Sequence, residues 1–175
     1  MRFTVYLAAA AATLVTAAPA AAQAVGSASA QAYAKGTVVQ PVSLVWQQDL
    51  DFGTVVSTAT AGNVVINADT GARTFPSGGP IGVPSYPGDR ALFQGNGAVA
   101  QTVQLSYTQP AFLISTTNPL DLVTVNSMSL DSGGATRVIG ASGVFNVGVG
   151  GDFQIGANQA PGLYRALFSV TAVYQ

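Results

Sequence analysis

The sequence predicts an all-β fold, an antiparallel β-sandwich, from three observations. Apolar and polar residues alternate in many short runs, as in Gln101–Tyr107, which is the pattern of a strand with one buried face. Beyond residue 24, no apolar period of 3.6 residues is sustained over a dozen residues, so helices are not expected there. Turn-forming residues separate the runs, and many short strands at this spacing are typical of a sandwich.

The first 24 residues are set apart from the fold because they have the layout of a secretory signal peptide. A basic start at Arg2 precedes an Ala/Leu/Val run over Val5–Ala22, and the small-x-small site Ala22–Ala24 follows. A retained transmembrane helix is the alternative, but the run is mostly Ala, contains Pro19 and ends in the cleavage motif. We therefore expect export to the periplasm and then the cell surface, with no integral membrane span after cleavage at Val25.

The predicted sandwich occupies residues 37–175, after an N-terminal extension at residues 25–36. The predicted strands are Thr37–Trp46, Leu50–Val56, Asn63–Asn67, Ala91–Gln94, Gln101–Tyr107, Ala111–Ser115, Leu122–Leu130, Val144–Val147, Asp152–Ile155 and Leu163–Tyr174. The predicted turns are Ala61–Asn63, Asp69–Gly71, Asp131–Gly134 and Gly148–Gly151. The stretch Pro76–Asp89 is rich in Pro and Gly, and we expect a surface loop that links the two halves of the sandwich.

Composition excludes several classes of function. The chain has no Cys and no His, so a His-based Ser triad, a Cys nucleophile and a His/Cys zinc site are all excluded. Charged residues make up 7% of the chain and the net charge is −1, so no basic surface for nucleic acid is expected. We expect neither enzymatic activity nor a cofactor or bound metal.

Four smaller features have simple interpretations. Asp49 and Asp51 share one face of a strand, as calcium ligands or a hydrolase's acid/base pair would, but a solvated face with Leu50 and Phe52 in the core is favoured. Gly148–Gly151 is a weak match to a phosphate-binding loop, since it lacks the Lys and the following helix. We expect Trp46 in the core and Asp89–Arg90 as a surface ion pair.

The end of the chain is the most informative segment. From Gly162 onward the residues alternate strictly, and the predicted core face continues to the penultimate residue. The opposite face is also partly apolar, so an unpaired edge here would favour aggregation. Two explanations remain open, a terminal strand inside its sheet or an edge that another chain covers. The predicted core-facing positions are Tyr164, Ala166, Phe168, Val170, Ala172 and Tyr174.

This C-terminal pattern resembles the last strand of bacterial pilus subunits assembled by the chaperone–usher pathway. Further landmarks follow one another along the chain at Val39–Leu44, Leu50–Val55, Gly62–Ile66, Ala91–Phe93, Val149–Phe153 and Gly156–Tyr164. By these landmarks the chain resembles, over most of residues 38–175, a family of small secreted bacterial domains known as domain of unknown function 4402. One departure is Arg165–Leu167, where the family pattern is commonly smaller and more polar.

The resemblance implies an immunoglobulin-like sandwich that lacks its last strand and has a groove beside its C-terminal strand. Such a domain would borrow a strand from a periplasmic chaperone, and then, at an outer-membrane usher, from the next pilin-like subunit or another copy of itself. Gly162 and the core-facing positions above would form the assembly edge. The donor strand would lie within Val25–Gly36, with Ala28, Ala30, Ala32 and Ala34 on one face.

Two alternatives accompany this hypothesis of a pilin-like structural or adhesive subunit. The extension Val25–Gly36 is equally compatible with a disordered terminus. The domain is also compatible with a self-contained secreted binding module for carbohydrate or a surface component. An unfilled groove beside the last strand favours assembly, whereas an extension folded into its own sheet favours the binding module.

Overall fold

A computed structural model describes residues 28–175. The predicted signal peptide and the first residues of the extension, 25–27, lie outside the described residues. The chain divides into two units, residues 1–37 and residues 38–175. The described part of the first unit, residues 28–37, is exposed throughout and contains no helix or strand.

The second unit is all β, and its strands pair only in antiparallel fashion across residues 38–175. No helix that could cross a membrane is found between residues 28 and 175. The strands are β1 (Ser43–Gln48), β2 (Val55–Val56), β3 (Gly62–Ile66), β4 (Arg73–Thr74), β5 (Ile81–Gly82), β6 (Ala91–Asn96), β7 (Thr102–Tyr107), β8 (Phe112–Ser115), β9 (Leu122–Leu130), β10 (Thr136–Val138), β11 (Val144–Ile155), β12 (Tyr164–Arg165) and β13 (Val170–Tyr174).

The long strand β11 is the centre of the main sheet, whose order is β1-β6-β11-β9-β8-β12. Its first half, Val144–Val149, pairs with β6, and its second half, Gly151–Ile155, pairs with β3 along the same edge. The opposite edge of β11 pairs with β9. Along one edge, β11 therefore pairs first with β6 and then with β3. Strand β4 pairs with β3 and extends the sheet on that side.

Glycines in the middle of β11 allow the chain leaving β3 to pass close to it. A Cβ added to Gly148 would lie 2.4 Å from the Ala68 carbonyl oxygen, and one added to Gly150 would lie 2.3 Å from that of Ile66. The prediction of a turn at Gly148–Gly151 is therefore wrong, because these residues lie within a strand. A run of glycines allows a turn and a close backbone approach equally well, and only the neighbouring chain decides between them.

The second layer is the sheet β10-β7-β13. Alternate residues of β7, Val103 and Leu105, are buried in one apolar core together with residues of β3, β6 and β11. The alternation in Gln101–Tyr107 thus has the predicted effect, since one face of β7 packs on the main sheet. The antiparallel β-sandwich is confirmed. The most deeply buried core side chains are Val64, Ile66, Ala91, Val103, Val123, Ile139, Val147 and Val149.

The stretch Pro76–Asp89 differs from the expected plain loop between two halves. It contains β5, which pairs with β2, and it connects β4 to β6, two strands of the same main sheet. The expected Asp89–Arg90 ion pair is also absent within residues 28–175. The Arg90 guanidinium donates instead to the carbonyl oxygens of Ala68 and Asp69, because these lie where the chain crosses β11.

Candidate functional site

The C-terminal segment changes partner along its length, so the single predicted strand Leu163–Tyr174 is divided. Its first part, β12, pairs with β8 of the main sheet, and its last part, β13, pairs with β7 of the second sheet. The division falls at residues 166–169 because β7 and β8 belong to different layers of the sandwich. The alternation continues across the break, with even-numbered residues half-buried and odd-numbered ones exposed.

One edge of this segment makes no backbone pairing anywhere in residues 28–175. The order β10-β7-β13 places β13 at the end of its sheet, and β12 ends the main sheet. The alternative of a terminal strand inside its sheet is therefore wrong for this edge. The C-terminal segment is an edge strand over its whole length.

The hydrogen bonds show which peptide groups lie on the free edge. The amide of Thr108 donates to the Ser169 carbonyl oxygen at 2.9 Å, and the amide of Gln175 donates to that of Thr102 at 3.0 Å. In an antiparallel ladder, residues alternate between bonding to the partner and pointing away from it. Val170, Ala172 and Tyr174 therefore direct their N–H and C=O groups to the free edge and their side chains toward the core.

A second free edge belongs to β1. In the described part of the chain, β1 pairs with β6 alone, and its other edge is open. Half-buried apolar side chains of residues 42–56 and of residues 162–174 pack onto the same core, and a cavity separates Asp51–Ser57 from Gln159–Tyr164. We call these two segments the walls of a groove. The first wall contributes Val42, Leu44, Leu50, Phe52 and Val55.

Hydrogen bonds close both ends of this groove. At one end, the Ser57 hydroxyl donates to the Gln159 carbonyl oxygen at 3.0 Å, and the Asn158 amide donates to that of Thr58 at 2.7 Å. At the other end, the Tyr174 hydroxyl donates to the Gln40 carbonyl oxygen at 2.7 Å. Hydrogen bonds between the two walls thus define the ends of the groove. Between these ends, the unpaired edges of both walls are available to pair with an added strand.

The groove contains a cavity at the end near β12. Its volume is about 580 Å³, and it lies between Asp51–Ser57 and Gln159–Tyr164. Buried core residues Val123 and Ile155 form its base. The Tyr164 hydroxyl donates to the Ala160 carbonyl oxygen at 2.6 Å and accepts from the Gln159 side-chain amide at 2.9 Å, which fixes one side of the cavity.

An aromatic contact joins the C-terminal segment to the β1–β6 ladder. Phe168 contacts Phe93 of β6 with ring centroids 6.0 Å apart. Trp46 is paired directly with Phe93 in the β1–β6 ladder, so both point to the same face. The expectation that Trp46 lies in the core is wrong, because this residue is 59% exposed beside the open edge of β1, and no strand within residues 28–175 covers it.

A family model described as Domain of unknown function (DUF4402) matches residues 42–174. The chain belongs to this family. The matched range begins at Val42 on one wall of the groove and ends at Tyr174 on the other. No curated protein and no solved structure gives a significant match to the chain.

In the DUF4402 domain the two predicted sets of site residues have different surroundings. The structure brings Tyr164, Ala166, Phe168, Val170, Ala172 and Tyr174 together along one wall, and Gly162 lies beside the cavity. The proposed donor residues Ala28, Ala30, Ala32 and Ala34 belong to the separate first unit, where they are exposed and outside any strand.

The carboxylates of Asp49 and Asp51 are both held by neighbouring donors. The Trp46 indole donates to Asp49 at 3.0 Å, and the Gly53 amide donates to Asp51 at 2.7 Å. Both aspartates are exposed, whereas Leu50 is half-buried against the core, as the solvated-face interpretation predicts.

Sequence reasoning did not assign the first wall, residues 42–56, to the site. Two strands were predicted there, and their alternation was a usable signal for the inward residues. The alternation of apolar and polar residues does not indicate which edge of β1 is unpaired, because strand pairing depends on distant parts of the chain.

Proposed function

We propose that the DUF4402 domain is a pilin-like structural or adhesive subunit that accepts a β-strand from another chain. The observation that carries the proposal is the groove between two free strand edges, that of β1 and that of the C-terminal segment. The peptide groups on the free edge of β13 have no strand partner within residues 28–175, and the apolar side chains that line the groove are only half-buried. Strand addition satisfies the peptide groups and removes the apolar side chains from water. Full burial of an exposed branched side chain contributes roughly 1.5–3 kcal/mol, so covering the remaining part of a half-buried one contributes about half of that.

The partners that fit are a periplasmic chaperone during export, an outer-membrane usher, and another pilin-like subunit or a second copy of this chain in the polymer. The donor is residues 25–36 of that copy. Small donor residues suit the middle of this groove, since the large side chains Trp46, Phe93 and Phe168 come from the acceptor. The exposure of residues 28–36 leaves them free to be a donor in solution.

Assembly is tested by expressing the mature chain, residues 25–175, and a variant that lacks residues 25–36. The full mature chain is expected to form SDS-resistant oligomers, and the shortened chain is expected to remain monomeric. A synthetic peptide of residues 25–36 is then added to the shortened chain. Soluble, stable monomers in both cases that do not bind the peptide would contradict the proposal.

Amide hydrogen exchange locates the bound peptide. The amides of Val170, Ala172 and Tyr174 are expected to exchange rapidly in the shortened chain and to become protected on peptide addition. The amides of Thr171 and Val173 are internal controls, because they already face β7. Protection elsewhere, with no change at the free edge, would show that the peptide binds at another surface.

Two neighbouring substitutions provide a matched test of the wall. Ala172→Lys places a charge inside the groove, and Thr171→Lys places the same charge on the exposed face of the same strand. We expect Ala172→Lys to abolish oligomers and Thr171→Lys to retain them. If Ala172→Lys fails to fold, Ala30→Lys places the charge on the donor strand instead of on the groove wall. This substitution is also expected to abolish oligomers.

A self-contained binding module is the second candidate, and the cavity of about 580 Å³ supports it. This volume lies within the usual range of small-ligand sites. Saturable binding of a mono- or oligosaccharide by monomers, blocked by Val55→Trp in the cavity wall, would favour this function over assembly.

A further inference from the structure

The side chain of Arg73 holds the groove wall through backbone carbonyls. Its Nη1 lies 3.1 Å from the carbonyl oxygens of Phe52, Thr54 and Tyr86, and its Nη2 lies 3.1 Å from that of Val83. A planar guanidinium presents five N–H donors in a rigid fork, which allows one side chain to join two separate segments.

No carboxylate pairs with this guanidinium within residues 28–175, where the one ion pair joins Arg137 and Asp131. The aromatic ring of Phe75 lies beneath it instead, with the guanidinium carbon 5.3 Å from the ring centroid. Carbonyl dipoles and an aromatic face thus surround the charge of Arg73, and all of its assigned hydrogen bonds go to the backbone.

Two glycines make room for this arrangement. A Cβ on Gly53 would lie 2.4 Å from Nη1, and a Cβ on Gly82 would lie 2.6 Å from Nη2. Gly53 also has a φ of +73°, which disfavours any side chain there. The backbone around Arg73 is therefore built to admit the guanidinium at close range.

The segment that Arg73 holds is the wall of the cavity. Pairing with the β6 side of the main sheet ends at the bridge between Asp51 and Asp89. Beyond it, Phe52–Val56 lines the cavity, and Val55–Val56 pairs with β5. Backbone pairing with β5 and the hydrogen bonds of the Arg73 side chain, which extends from β4, therefore position this wall, while Ser57 and Thr58 at its end bond to Gln159 and Asn158.

We propose that Arg73 is a positioning residue that keeps the wall Phe52–Val56 away from the C-terminal strand, so that the groove stays open before a donor strand arrives. The inference rests on the proposed function, because an open groove matters only if a strand enters it. Its physical basis is preorganisation: a site already held in its binding conformation loses less entropy when a partner binds.

Arg73→Lys is the principal test, since it keeps the charge and loses the fork. Arg90→Lys is the matched control, because Arg90 also donates to backbone carbonyls, those of Ala68 and Asp69, which do not line the groove. The peptide of residues 25–36 is titrated into each chain lacking that segment. If only about a tenth of the Arg73→Lys molecules have the wall in the open position, the apparent Kd for the peptide rises about tenfold. Arg90→Lys is expected to bind as the unsubstituted chain does.

Amide exchange gives a readout that does not depend on the donor. The amide of Thr54 donates to the Tyr86 carbonyl oxygen, and that of Val83 donates to the Thr54 carbonyl oxygen. Both amides are expected to lose protection in Arg73→Lys and to keep it in Arg90→Lys. Unchanged protection, together with a Kd within about twofold of the unsubstituted chain, would overturn the inference.

The outcomes separate the two proposals. If the unsubstituted chain fails to bind the peptide, the proposed function fails, while the exchange of Thr54 and Val83 still decides the role of Arg73. If Arg73→Lys does not fold, Gly82→Ala is used instead, because its Cβ crowds both the Arg73 guanidinium and the Phe75 ring beneath it while leaving Arg73 in place. Normal peptide binding and normal protection in Gly82→Ala would then overturn the inference.

Discussion

Phe168 packs edge-on against Phe93, with the ring centroids 6.0 Å apart and the ring planes at 83°. This geometry is one that aromatic pairs prefer. The contact joins the C-terminal segment to β6 at residue 168, between its pairing with β8, which ends at Arg165, and its bonding to the end of β7, which begins at Ser169. A side-chain contact thus holds the wall of the groove where strand pairing is interrupted.

Replacing Phe168 with Ala is expected to lower the free energy of unfolding by about 2–3 kcal/mol. This is below the range for a fully buried Phe, because Phe168 is half-buried. Leu167→Ala is the control, since Leu167 is 96% exposed, and it is expected to change stability by less than about 0.5 kcal/mol. Equal denaturant midpoints for the two variants would contradict a structural role for Phe168.

Gly150→Ala is expected to destabilise the sandwich by about 1–3 kcal/mol, because the new Cβ meets the backbone of Ile66 where the chain crosses β11. Gly140→Ala is the control, as an added Cβ there meets no atom of the described part of the chain within 4 Å. Thermal and urea unfolding of both variants measure the difference. A Gly150→Ala protein as stable as Gly140→Ala would show that the crossing has space to relax.

Tyr174→Phe is expected to cost about 1–2 kcal/mol of stability. The lost hydroxyl accepts from the Ala98 amide at 2.7 Å and donates to the Gln40 carbonyl oxygen at 2.7 Å, and each hydrogen bond contributes about 1 kcal/mol. Faster exchange of the Ala98 amide is expected with it. Tyr86→Phe is the control, because the Tyr86 side chain is 65% exposed. Unchanged exchange at Ala98 would refute the assignment.

Asp69 is expected to make stability depend on acid pH. The hydrogen bond from the backbone N–H of Ser132 lowers the pKa of the Asp69 carboxyl below its ordinary value of 3.8, aided by the Ser132 side chain, Arg90 and Arg137. The ionised form is thus favoured in the folded state, so its contribution is present above pH 3.8 and is lost as the pH falls through the lowered pKa. Asp69→Asn removes this titration. Between about pH 5 and pH 2, the free energy of unfolding in urea is expected to fall more steeply with pH in the unsubstituted chain than in Asp69→Asn. Parallel curves for the two chains would refute this role of Asp69.

Much of the fold was predictable from local patterns. The alternation in Gln101–Tyr107 and in the C-terminal segment correctly separated core-facing from exposed residues, because the side chains of a strand alternate between its two faces. The carboxylates of Asp49 and Asp51 were correctly placed on an exposed face for the same reason. The errors at Trp46 and at Gly148–Gly151 share another cause, since each depends on what a distant segment covers or approaches.

By itself, the sequence determined the all-β class, the face on which each side chain of the C-terminal segment lies, and the resemblance to the family. These properties depend on residues close together in the chain. Only the tertiary structure decided that β12 and β13 lie in different sheets, that their outer edge and that of β1 are unpaired within residues 28–175, and that Arg73 bonds to the backbone of the cavity wall. Strand pairing joins residues far apart in sequence, and so do the hydrogen bonds from Arg73 to backbone carbonyl oxygens. No local pattern of side chains specifies which strand edges pair.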